Sequence, residues 1–129
     1  MKRWLVLGLL CLVGASRCWA ERPTNWGTPV TKTAVVTSNS TDTTLWDPDA
    51  DRHIVLIGCV FSAGNAVNIQ LEVSDVDVIA PMNLASGGTV AVGFGPFPIW
   101  EGAEDAVLTY TTVGSGTHSI TCSGYEEGN

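Results

Sequence analysis

Asp47, Asp49 and Asp51 place three carboxylates at alternate positions in the run Asp47-Pro48-Asp49-Ala50-Asp51. A tightly curved loop turns alternate oxygens inward, which is how many calcium loops begin. A helix-flanked calcium loop would continue with glycine after Asp51 and a bidentate glutamate further on. Here Arg52 and His53 follow, and the chain enters an apolar run. The segment therefore reads in two ways: a solvated acidic turn, or part of a calcium site formed by Asp47, Asp49 and Asp51 that the fold must complete. Asp75 and Asp77, or Glu101, Glu104 and Asp105, are the groups available to complete it.

The remaining reactive residues give little local support for catalysis. His53 and His118 are the two histidines, and no Cys-x-x-Cys or His-x-x-x-His accompanies them. Both read as surface or edge residues rather than transition-metal ligands. There is no Gly-x-Ser-x-Gly elbow to expose a nucleophilic serine. Cys59 and Cys122 lie in apolar β-like runs, which disfavours a reactive thiolate. No enzyme is expected. Trp26, Trp46, Trp100, Phe97 and Tyr125 are the large aromatics to place. Trp100 and Trp46 would serve a ligand or interface if exposed, or close the ends of a core if buried. Asn39-Ser40-Thr41 is a glycosylation sequon, meaningful in a eukaryotic secretory pathway.

The start of the chain says where these residues are to work. Lys2 and Arg3 precede a ten-residue apolar run, Trp4 to Val13, and Cys18-Trp19-Ala20 closes it. This is the pattern of a secretory signal peptide over residues 1–20, cleaved before Glu21. The run is shorter than the roughly 20 apolar residues that span a bilayer, so no membrane insertion is expected after cleavage. Removal leaves 109 of the 129 residues, enough for one modest core. It also leaves Arg22, Lys32 and Arg52 against thirteen carboxylates, a net charge of −10. Such a chain repels phosphate backbones, so no nucleic-acid partner is expected. The expected location is secreted: periplasmic, cell-surface or extracellular. Two cysteines in an exported domain predict a disulfide between Cys59 and Cys122.

The elements that must carry these residues read as all-β. Val30 to Thr37 is β-branched, and Arg52 to Ser62 is the most apolar run, which predicts a strand buried on both faces. Val67, Ile69, Leu71 and Val73 alternate with Asn68, Gln70 and Glu72. Val76 to Ala80 is expected to end at Pro81. Ala106 to Val113 and Thr117 to Tyr125 read as the closing pair. About eight or nine short strands with turn signals every 8–12 residues predict a two-sheet antiparallel sandwich. Trp100 stands far from Cys59, unlike the tryptophan of antibody-type domains, so the sandwich is read as jelly-roll-like. The expected core is Ile54, Leu56, Ile57, Val60, Ile69, Leu71, Val78, Val92, Leu108, Tyr110 and Ile120. Residues 21–42 are read as an extended N-terminal segment with the first strand, and 43–129 as the sandwich.

Residues 43–127 resemble small jelly-roll proteins encoded in phage and bacterial genomes. The resemblance rests on Ser62-Ala63 ending a strand, on Leu108 to Thr112, and on the late Gly124-Tyr125-Glu126. It implies a non-enzymatic virion, fibre or surface component, and the signal peptide moves that reading outside the cell. The expectation is a secreted structural or interaction protein that forms a homo-oligomer without a cofactor. In this reading the first strand pairs with its own sheet or with the open edge of a neighbouring copy, where Val30, Ala34 and Val36 would fill pockets. The alternative is a calcium-assisted carbohydrate- or ligand-binding module.

Overall fold

The computed structural model describes residues 27–128. The signal peptide expected at 1–20, together with Arg22 and Trp26, lies outside the described residues. The chain forms β1 (Thr28–Val36), β2 (Ser40–Trp46), β3 (Arg52–Ala63), β4 (Val67–Val73), β5 (Val76–Leu84), β6 (Thr89–Gly93), β7 (Trp100–Glu101), β8 (Leu108–Gly114) and β9 (His118–Gly128). One sheet runs β1-β9-β3-β6, with β7 also on β3, and the other runs β2-β8-β4-β5. All pairings are antiparallel. Only β4 and β5 are both consecutive and paired; most other connections cross between the sheets. That winding makes the sandwich a jelly roll, which is the expected fold class.

Period-two alternation builds most of it. In β4, Val67, Ile69 and Leu71 are buried while Asn68 and Gln70 are half-buried. In β9 the buried positions are His118, Ile120, Cys122, Gly124 and Glu126. Leu108, Tyr110 and Thr112 of β8 close the core from the facing sheet.

β3 departs from simple alternation. It pairs with β9 through Leu56↔Gly124, then resumes at Gly58↔Ser123, so Ile57 is an extra residue. The bulge reverses the facing of alternate positions. Ile54 and Leu56 face the core before it, and Cys59, Phe61 and Ala63 face it afterwards. The continuous apolar run therefore reflects a bulge more than two-sided burial, although Val55 on the other side is also buried. Ile57 and Val60 are half-buried and lie outside the core cluster, whereas Val78 and Val92 pack against it. Phe94 crosses over the bulge, donating its N–H to the Ile57 carbonyl at 3.0 Å. A Cβ on Gly58 would sit 2.7 Å from the Phe94 nitrogen, so the crossing requires glycine there.

Two further expectations change. β5 continues through Pro81 to Leu84. It is an edge strand with irregular pairing, where a missing N–H is tolerated. β1 pairs with β9 of its own chain at nine consecutive positions, from Thr28↔Glu126 to Val36↔His118. It belongs to the sandwich rather than to a separate extended segment.

Candidate functional site

Cys59 and Cys122 stand directly opposite each other on β3 and β9, and both are fully buried. They form the expected disulfide, with Cα atoms 4.1 Å apart. Such a bond is compatible with an oxidising compartment. It joins adjacent strands of one sheet. Ile120 shares its inner face, but Ile57 does not, because the bulge lies between.

The alternate aspartates are not used as a set. Asp47, Asp49 and Asp51 are exposed, while Pro48 between them is buried. The Arg52 N–H closes a turn on the Asp49 carbonyl at 3.1 Å. Asp51 instead joins Glu104 and Asp105, with one carboxylate oxygen from each within 4.8 Å of the others. The Asp51 N–H donates to Asp105 Oδ1 at 3.0 Å, and the Asp105 N–H donates to the Arg52 carbonyl at 2.8 Å. Asp51 and Asp105 have φ of 62° and 57°, a conformation aspartate adopts at lower cost than most residues. The fold therefore completes an oxygen cluster through Asp51 alone.

Trp46 is fully buried and unavailable to a ligand. Its Nε1–H donates to Glu126 Oε1 at 2.7 Å, and the Asp49 N–H donates to Glu126 Oε2 at 3.1 Å. Glu126 is a buried carboxylate that ties the two sheets and the acidic turn together. Trp100 is half-buried against the core. Among the described residues the exposed aromatics are Phe94 and Phe97, in the excursion that separates β6 from β7. Val36 is buried, and Val30 and Ala34 pack against the same core, so these three side chains are occupied within their own subunit. Lys32 lies on that same inward side, opposite Cys122. An inward charge on an edge strand is one way proteins block edge-to-edge pairing.

The histidines also differ from their reading as surface groups. His118 is 1% exposed, and neither ring nitrogen has a hydrogen-bond partner. It lines a hollow of about 230 Å³ with Ser62, Thr89, Thr117 and the glycines 64, 87 and 88. His53 lies between Glu101 and Glu127, at 3.4 and 3.8 Å. The partners are 48 and 74 positions away in sequence, so no local spacing could reveal them.

The strand directions sort charge by end. One end holds the connections 37–39, 64–66, 85–88 and 115–117, which carry no charged residue. The other holds 47–51, 74–75, 102–107 and the end of β9, with Asp47, Asp49, Asp51, Asp75, Glu104, Asp105, Glu126 and Glu127. Glu72, Asp77 and Glu101 lie next to this acidic end, and among the described residues Asp42 is the carboxylate set apart.

No protein-family model matches the sequence, and no curated protein matches it. The fold and its surfaces carry the functional argument.

Proposed function

We propose that the mature chain is a secreted, non-enzymatic structural or interaction protein that self-associates outside the cell or on its surface. One observation carries the reading: the excursion between β6 and β7 presents apolar side chains to solvent. Phe97 is 77% exposed, Phe94 49% and Ile99 36%. Phe94 also holds a φ of 63°, a conformation that costs a bulky residue about 1–3 kcal/mol. An apolar knuckle at a sheet edge, holding two exposed phenylalanines beside Ile99, is suited to burial against another molecule. The resemblance to phage and bacterial jelly-roll proteins supports the same reading. The contact is assigned to the knuckle rather than to β1, whose inward side chains are already packed.

Light scattering on the size-exclusion-purified mature protein tests this. The expected result is an oligomer that Phe97→Ser converts to a monomer without lowering Tm. A wild-type monomer at high concentration overturns the reading.

A second reading, a calcium-assisted ligand- or carbohydrate-binding module, is favoured by the Asp51–Glu104–Asp105 cluster alone. Saturating calcium at about 100 times Kd would stabilise the fold by about 2.7 kcal/mol. An unchanged Tm in calcium, or an unchanged response in Asp51→Asn, removes this alternative.

A further inference from the structure

The apolar knuckle has a counterpart of opposite shape on the same sheet. Phe94 to Ile99 is pinned at both ends, the Phe94 N–H donating to the Ile57 carbonyl at 3.0 Å and the Ile99 N–H to the Leu56 carbonyl at 2.8 Å. Its six residues carry no charge, and the Phe97 ring projects into solvent. At the uncharged end of the sandwich, the hollow of about 230 Å³ is lined in part by Ala63, Gly64, Gly87, Gly88, Thr89 and Thr117. Three of these are glycines, which have no side chain to fill the space. Their N–H groups are already bonded within the chain: Gly64 to the Thr117 carbonyl at 2.8 Å, Gly87 to that of Ala63 at 2.7 Å and Gly88 to that of Ala85 at 2.9 Å. The Thr89 and Ser62 hydroxyls bond each other at 3.2 Å. An apolar group can cover this floor without orphaning those donors. Across the sheet, Val35, Ser119, Ser62 and Thr89 stand in one row, and Val35 is exposed. The row of Thr33, Thr121, Val60 and Ala91 is also uncharged.

We propose that the knuckle of one copy docks in the hollow of a second copy, with Phe97 as the inserted ring. The proposal rests on the self-association reading above and names the surface that receives the knuckle. An apolar cavity of about 150 Å³ holds benzene, so the hollow has room for a phenyl ring. A copy does not serve itself. The knuckle leaves β6 at Gly93, opposite Gly58, and Gly64 lies six residues further along β3, about 20 Å away at about 3.3 Å per residue. Charge selects a second copy as the occupant. The chain has thirteen carboxylates, and among the described residues all but Asp42 lie at or near the opposite end. Knuckle and hollow are both uncharged, so this pairing keeps the acidic ends of two copies apart. Val35 beside the hollow offers Phe94 and Ile99 an apolar surface to land on. Donor and acceptor surfaces differ, so the contact is head-to-tail, and a bound pair retains one free knuckle and one free hollow.

The test is light scattering on the mature protein, on three single variants and on a mixture of two of them. Phe97→Ser removes the ring. Thr89→Glu places a carboxylate at the hollow. Val113→Glu adds the same charge at the same end but on the other sheet, where Val113 is exposed. Circular dichroism and Tm check that each variant folds, and Thr117→Glu, also at an exposed position, replaces Thr89→Glu if that variant does not. Val113→Glu should assemble like the wild type, whereas Phe97→Ser and Thr89→Glu should each weaken assembly at least tenfold. An equimolar mixture of those two should form a 1:1 pair and nothing larger, because one keeps the hollow and the other the knuckle. A monomeric wild type overturns self-association itself, and this proposal with it. An oligomer lost in Phe97→Ser but kept in Thr89→Glu leaves self-association standing and overturns the hollow as its partner surface, as would be the case for knuckle packed on knuckle. Failure of the two defective variants to pair on mixing, or dissociation by Val113→Glu, also overturns the proposal.

Discussion

Replacing Glu126 by alanine should remove the connection that holds the acidic end together. Glu126 accepts from Trp46 Nε1 at 2.7 Å and from the Asp49 N–H at 3.1 Å. A hydrogen bond to a charged acceptor contributes about 1.5–3 kcal/mol, and a buried donor left without a partner costs about 1–3 kcal/mol. Trp46 is fully buried, so its N–H loses its partner inside the protein on truncation. Asp49 is exposed, and water can replace the carboxylate there. The Trp46 bond should therefore dominate, and Glu126→Ala should cost about 2–4 kcal/mol. That is a large share of the 5–15 kcal/mol typical of a domain. Urea unfolding followed by far-UV circular dichroism measures it, with a lower midpoint at constant slope. A double-mutant cycle with Trp46→Phe isolates the pair from packing losses, and the coupling should be about 1–3 kcal/mol. A Glu126→Ala cost below about 0.5 kcal/mol, or a coupling near zero, would refute the reasoning.

Three further perturbations test other parts of the fold. Reducing the Cys59–Cys122 bond opens a covalent loop of 63 positions, for which chain entropy alone gives about 4 kcal/mol; thermal unfolding with and without reductant should show that loss. His118→Leu removes two buried nitrogens without partners and should be neutral or stabilising in urea titrations, whereas a clear loss of stability would show that the ring is hydrogen-bonded, for example through buried water. Lys32→Val removes the inward charge from the β1 edge and should increase aggregation without lowering Tm, measured by light scattering against time; unchanged solubility would show that β1 needs no such guard.

The sequence carried the fold class because alternation and turn chemistry are local. β4 could be read residue by residue, and the Cys59–Cys122 pairing followed from the expected export of the chain. What it concealed depended on one inserted residue or on distant partners. Nothing local marks Ile57 as a bulge, yet that bulge brings Cys59 and Phe61 to the same face as Leu56. Pro81 gave a valid stop signal for a central strand but not for the edge strand it occupies. At the candidate sites, Asp51 was legible as a member of an acidic cluster, but Asp47 and Asp49 were not separable from it by spacing. His53 had no visible partner until β7 and β9 flanked β3. Trp46 read more readily as core than as surface, and Glu126 meets its N–H inside.

One global property was present in the sequence as a rhythm. Connections in an antiparallel domain fall alternately at its two ends. Here, the uncharged 94–99 excursion within one strand direction aside, they alternate in charge as well: 37–39 neutral, 47–51 acidic, 64–66 neutral, 74–75 acidic, 85–88 neutral, 102–107 acidic and 115–117 neutral. Up-and-down strands convert that rhythm into a molecule with one acidic end and one uncharged end. Two unit charges 4 Å apart repel by about 1 kcal/mol even in water, and the repulsion decays over about 8 Å at physiological salt. Bringing two acidic ends together would add many such terms, so contact there requires high salt or a bridging cation. Contact through the Phe94–Ile99 excursion brings apolar rather than charged groups together and needs neither. Salt dependence therefore separates the two routes: assembly through the knuckle should change little with added sodium chloride, whereas assembly through the acidic end should strengthen steeply. A steep increase that Phe97→Ser leaves intact would move the contact from the knuckle to the carboxylates.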